Sequence, residues 1–235
     1  MVSFDWKTLN SDVSIKETKK KFYNQYYYSV KYLCHGSQVL RDGGNIEDKL
    51  EYRRQRRRTF NYGGSWVNRF DNDSLINVEQ LHGFDHVRQQ FGQQVRFRIE
   101  EPYVTLYSDN EQVLYNIADQ HLKEWVNKLW SVHRPASDAT KAIVDRGAII
   151  VKTDVNYRYK FFCKDGSYHN KSAVYSYLHN LGDQVKLSKM VWSNLSKPHS
   201  YTWGIWFYAN DPSIATMLNI IEPNVVTNIH ELVVA

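Results

Sequence analysis

The sequence predicts an α+β protein built on a ferredoxin-like, RRM-like βαββαβ sandwich, an antiparallel sheet with helices on one face. A basic helical N-terminal region precedes it. Three observations lead there. Between Val95 and Ala209 the hydrophobic period runs strand, helix, strand, strand, helix, strand. Turn and cap residues punctuate the switches at Pro102, Ser108–Glu111, Asp154–Asn156, Lys164–Ser167 and Gly182. Charge is also unevenly placed: residues 1–70 hold 14 basic and 7 acidic side chains (+7), residues 71–150 hold 8 and 12 (−4), and residues 151–235 hold 8 and 6 (+2). The expected division is a basic, aromatic-rich region over 1–93 and the sandwich over 94–235.

In the N-terminal region, Phe22, Tyr26, Ser29 or Val30, and Leu33 recur at three- and four-residue steps behind Asp12 or Ser14 as cap, which predicts a helix over 14–34. A second helix is expected over 46–60. It carries Arg53, Arg54, Arg56, Arg57 and Arg58, five arginines in six positions that go right round a helix. Some of them must meet acidic groups, either phosphates or the carboxylates of the acidic middle third or of a partner subunit. Asn61–Trp66 reads as a glycine-and-aromatic turn, and it lacks the Lys-Ser/Thr pair of a P-loop. Residues 65–93 look irregular apart from a short helix near Val78–Phe91.

In the sandwich, Val95, Phe97 and Ile99 alternate with Arg96, Arg98 and Glu100 as in a strand, and Pro102 bends the chain before Val104–Tyr107. Val113, Leu114, Ile117, Ala118, Leu122, Trp125, Val126 and Leu129 keep helical spacing, which predicts one helix over about 110–129. Ala148–Thr153 and Tyr157–Cys163 are expected to form an antiparallel hairpin. In the second arm Tyr157, Tyr159, Phe161 and Cys163 share one face, and Arg158, Lys160, Phe162 and Lys164 the other. A helix over 170–181, a short strand near Val185, a strand over 201–209, a helix over 214–221 and a packed apolar end at 225–234 complete the reading.

A scaffold of this kind hosts many functions, so function has to be read from particular side chains. Interleaved Tyr157, Arg158, Tyr159 and Lys160 have the chemistry of a sheet that stacks bases and holds phosphates. With Arg53, Arg54, Arg56, Arg57 and Arg58 they predict a non-enzymatic nucleic-acid-binding protein. The alternative is a structural or adaptor subunit of a larger assembly, such as a virion particle, with protein partners or self-association through the 17 Tyr, 10 Phe and 7 Trp side chains.

Other chemistry is weakly supported. His82, Asp85 and His86 lack a further ligand at useful spacing, and Cys163 with His169 makes an incomplete set, so no metal and no cofactor are expected. Glu100, Glu101, Asp154 and Asp165 flank strands without the Glu-x-Lys arrangement of a nuclease, and there is no nucleophile elbow. Two cysteines make no disulfide framework. The first residues lack a basic segment followed by an apolar run, so no secretory leader is expected. No apolar stretch approaches the roughly 20 residues that cross a bilayer. The expected setting is cytoplasmic, or a particle assembled in the cytoplasm.

Overall fold

The computed structural model describes residues 4–59, 73–197 and 201–234, with the backbone alone at 56–59 and 73. Its contacts divide the chain into two units, Met1–Lys141 and Ala142–Ala235. Each holds a mixed five-stranded sheet. The expected single βαββαβ sandwich is therefore incorrect, because its strands are distributed over two sheets.

In the first unit the elements run α1 (Trp6–Leu9), β1 (Ser14–Glu17), β2 (Tyr28–Leu33), α2 (Ile46–Thr59), α3 (Val78–Phe91), β3 (Arg96–Glu100), β4 (Tyr103–Ser108), α4 (Glu111–Asn116) and β5 (Leu129–Arg134). The strand order is β1-β5-β2-β4-β3, and only the β1–β5 pair is parallel. The helix expected over 14–34 is instead two strands joined by a turn in which Tyr23 and Asn24 take positive φ. Its helical spacing coincides with a period of two that matters more: Tyr28, Val30 and Tyr32 all point into the core. Consecutive tyrosines and Val30 also suit a pleated, half-buried strand better than a helix.

Val30, Tyr32, Val104, Leu106 and Val132 form one face of this sheet, buried with Leu81, Phe84 and Val87 of α3 and Leu114 of α4. Asn77 caps α3 by accepting from the Gln80 amide at 2.9 Å. Gly83 permits a close approach here, since a Cβ at that position would run into the Trp125 ring. The helix expected over 110–129 ends early. After α4 the chain passes through a π turn at Ile117–His121 and a 3₁₀ stretch at Lys123–Lys128, and Leu129 opens β5. Ile117, Ala118 and Leu122 still reach the core, so the apolar spacing was satisfied by irregular turns rather than one continuous helix.

The second unit begins within α5 (Asp138–Asp145) and continues β6 (Ile149–Val151), β7 (Tyr159–Cys163), α6 (Lys171–Asn180), β8 (Val185–Leu187), α7 (Lys189–Leu195), β9 (Trp206–Ala209), α8 (Ile214–Ile221) and β10 (Val226–Val234). Strand order is β6-β10-β7-β9-β8. The expected β6–β7 hairpin is absent because β10 lies between them, parallel to β6 and antiparallel to β7. Phe161, Val185, Phe207 and Ala209 bury one face of this sheet against Val174 and Leu178 of α6, Val191 and Leu195 of α7, and Ala215 and Leu218 of α8. Among the described residues the helices of this cluster lie on that one face, and the side chains of interest gather on the other.

Candidate functional site

Register alone sets out the site. Across β7 and β9, Phe161 pairs with Phe207 in the core, so the neighbouring pairs Lys160–Tyr208 and Phe162–Trp206 project from the opposite face. On the outer strands Lys186 of β8 lies opposite Tyr208, while His230 and Asn228 of β10 lie opposite Lys160 and Phe162. Lys160 occupies the middle. Its Nζ stands 4.1 Å from the Trp206 ring centroid, 4.9 Å from Phe162 and 5.6 Å from Tyr208. Trp206 and Tyr208 meet edge to face at 5.1 Å, and His230 approaches Phe162 edge-on at 5.6 Å. The result is a half-buried platform of rings around one ammonium.

The four residues expected here separate. Tyr157 precedes β7, lies nearly parallel to Tyr208 with centroids 6.4 Å apart, and donates its hydroxyl to the Asp183 carbonyl at 3.1 Å. Tyr157 and Lys160 thus belong to the platform. Tyr159 packs with the helix-side core. Arg158 donates from Nη2 and Nε to Glu231 Oε1 at 3.2 and 3.3 Å, an exposed pair. Phe162, Trp206, Tyr208 and Lys186 were not among the sequence candidates. Alternation alone already put Phe162 beside Lys160, and the same rule puts Trp206 and Tyr208 on one face; the missing information was that β9 pairs with β7.

The arginine run lies in the first unit. Ile46 and Leu50 anchor the start of α2 in the core, and the helix extends through Thr59. Arg53 is half-buried, and Arg54 is exposed beside Glu51 at 3.7 Å. The side chains of Arg56, Arg57 and Arg58 lie outside the described residues, as does the glycine-and-aromatic turn at 61–66.

The acidic groups that flank strands have structural partners. The Glu101 carboxylate accepts from the Gly36 amide at 2.7 Å, the Gln38 amide at 3.1 Å and the Ser37 hydroxyl at 3.2 Å. Glu100 pairs with Arg98 at 2.5 Å. Asp154 accepts from the Asn156 amide and Asp165 from that of Gly204. His82 meets Glu47 at 2.6 Å, a contact that holds the Glu47 carboxyl below its ordinary range. Asp85 binds Arg88 and Gln89. Among the described residues no group of three potential ligands gathers to hold a metal. Burial raises the thiols, that of Cys163 to about 12 and that of Cys34 further with Glu101 beside it, so neither has the character of a nucleophile. Among the described residues no helix is long and apolar enough to cross a membrane.

Comparison with known proteins found no matching family model, no matching curated protein and no matching solved structure.

Proposed function

We propose that the chain is a non-enzymatic nucleic-acid-binding protein that stacks bases of a single strand on the open face of its second sheet. The observation that carries this reading is Lys160 set among Phe162, Trp206 and Tyr208 on the sheet face opposite α6, α7 and α8. Aromatic faces accept any base, and a central ammonium beside them suits the backbone phosphate. Lys186 adds a second cation on the same face, and this one is exposed. In this reading the Arg53–Arg58 run of α2 supplies further phosphate contacts, and the protein works in the cytoplasm or in a particle assembled there.

Fluorescence anisotropy with a labelled oligothymidine or oligouridine, at low and physiological salt, tests it. Trp206→Ala with Tyr208→Ala should weaken binding by about 1–3 kcal/mol per base lost from the stack. The salt slope should hardly change, because no charge is removed. Arg56→Gln, Arg57→Gln and Arg58→Gln together should instead lower the slope by roughly 0.7 for each single-strand phosphate contact removed. Helix α2 should survive, since Gln is nearly as good a helix former as Arg. If that triple variant loses stability and keeps its salt slope, the arginines pair with carboxylates and not with phosphates. Absence of low-salt binding by the wild type would refute the proposal as a whole.

A second reading, a structural or adaptor subunit, is favoured by exposed apolar side chains. On α8 Ile220 is 69 % and Met217 46 % exposed, and Trp203 and Trp192 are 58 % and 42 % exposed. Light scattering across a concentration series decides between them: self-association without oligonucleotide binding would select this reading.

A further inference from the structure

The first unit carries a comparable face that the sequence did not single out. Cross-strand register aligns Lys16, His133, Ser29, Tyr107 and Arg96 in one row over β1, β5, β2, β4 and β3. The next row on the same face is Ser14, Ser131, Lys31, Thr105 and Arg98. Val30, Leu106 and Val132 alternate with these residues and belong to the core, with Phe97 packed against it, so both rows point away from α3 and α4. Ser29, Ser131 and Thr105 are buried, short hydroxyls lying low between long basic neighbours, and Tyr107 between Ser29 and Arg96 is buried as well.

Rings frame the cations. Arg96 lies over Tyr23 at 3.8 Å, and Lys31 Nζ over Tyr103 at 3.9 Å. Tyr103 in turn meets Trp130, which is 54 % exposed, with centroids 6.2 Å apart. At the other end the turn after Lys19–Lys21 lays Phe22, Tyr23 and Tyr26 against Tyr107. Phe22 also reaches His133. In a third row Glu100 lies opposite Tyr103. The strand residues of this face thus carry four fixed cations, Lys16, Lys31, Arg96 and Arg98, against the single carboxylate Glu100. The imidazole of His133 registers that field: burial, then Lys16 and Lys31, holds it below the ordinary histidine value.

We propose that this basic face of the first sheet is a second single-strand nucleic-acid site, with Lys16, Lys31 and Arg96 on phosphates and Trp130 beside Tyr103 stacking a base. It rests on the reading of the chain as a nucleic-acid binder, but uses residues of the first unit alone. Charge complementarity selects a polyanion, and an exposed indole beside a cation-bearing ring selects one that has bases.

The test uses the full chain and a labelled 15-nucleotide oligothymidine. Lys16→Gln, Lys31→Gln and Arg96→Gln together should lower the salt slope by about 2 and weaken binding roughly tenfold to a hundredfold at physiological salt. Arg98 stays, because it pairs with Glu100. The charge-preserving set Lys16→Arg, Lys31→Arg and Arg96→Lys should restore the slope, which a merely structural loss would not allow. NMR titration gives an independent readout: phosphates neutralising Lys16 and Lys31 should raise the His133 midpoint when the oligonucleotide is added to the wild type. A Gln triple variant that binds like the wild type while Trp206→Ala with Tyr208→Ala binds weakly would overturn this inference and leave the second-unit site standing. Weak binding by the Gln variant with no effect at Trp206 and Tyr208 would do the reverse. Polyglutamate displacing the oligonucleotide at equal charge concentration would make the face one for acidic protein and overturn the inference too, as would a wild type that fails to bind.

Discussion

Replacing Trp6 with alanine should cost the first unit about 3–5 kcal/mol, a large share of the roughly 5–15 kcal/mol that keeps an ordinary domain folded. The indole is wholly buried, sits edge-on to Tyr115 at 5.1 Å, and donates from Nε1 to Glu111 Oε1 at 2.8 Å. Glu111 is itself buried, with Arg134 Nη1 at 3.6 Å from the same oxygen. Alanine would leave both a cavity and a carboxylate short of one donor. Trp6→Phe separates these effects. It keeps a six-membered ring in the core while removing the N–H with its five-membered ring, and the expected loss falls to about 1–3 kcal/mol, chiefly for the buried acceptor left without its partner. Urea unfolding of the two variants measures both. If the alanine variant unfolds within about 0.5 kcal/mol of the wild type, the size of an ordinary surface change, the N-terminal segment is not anchored in this core.

Phe207→Ala should destabilise the second unit by a similar amount, about 3–5 kcal/mol. Phe207 and Phe161 are fully buried and stack with centroids 4.6 Å apart at an interplanar angle of 9°. Each ring fills space the other would need to collapse into. The double alanine variant should therefore differ from the sum of the single ones. Phe207→Leu, which conserves more volume, should cost less than about 1.5 kcal/mol. The informative comparison is with the neighbours on β9. Trp206 and Tyr208 flank Phe207 but point to the open face, so their alanine variants should melt close to the wild type while losing oligonucleotide affinity. Comparable melting losses at 206, 207 and 208 would mean that the open face is covered in solution.

How far the candidate sites could be read from the chain depended on whether each relation was local. Alternation over residues 157–163 put Lys160 and Phe162 on one face, and the structure has them there; it also put Tyr157 with Tyr159, which the structure separates, because Tyr157 lies ahead of β7. Alternation over 95–100 likewise put Arg96 and Arg98 on the face away from Phe97 and Ile99. What made these faces into sites was pairing: Tyr208 beside Lys160, Trp206 beside Phe162, Lys31 between Ser131 and Thr105. Those neighbours are tens of residues apart, and no local pattern encodes them.

By itself the sequence determined where local chemistry governs: α2 from Ile46, α3 over Val78–Phe91, α8 over Ile214–Ile221, the bend before β4 at Pro102, and the excess positive charge of the first 70 residues. Caps, apolar periods and Pro act over a few residues, so their effects are visible in a few residues. Tertiary structure alone decided that Tyr28–Leu33 is a strand and that β10 parts β6 from β7. It also decided that the strands expected in one sandwich belong to two sheets. A strand satisfies its backbone only through a partner, and that partner is set far along the chain. Which pairing prevails is settled by burying Val30, Tyr32, Val104 and Leu106 together in one core and Phe161 and Phe207 in the other, a property of the folded chain that no single stretch contains.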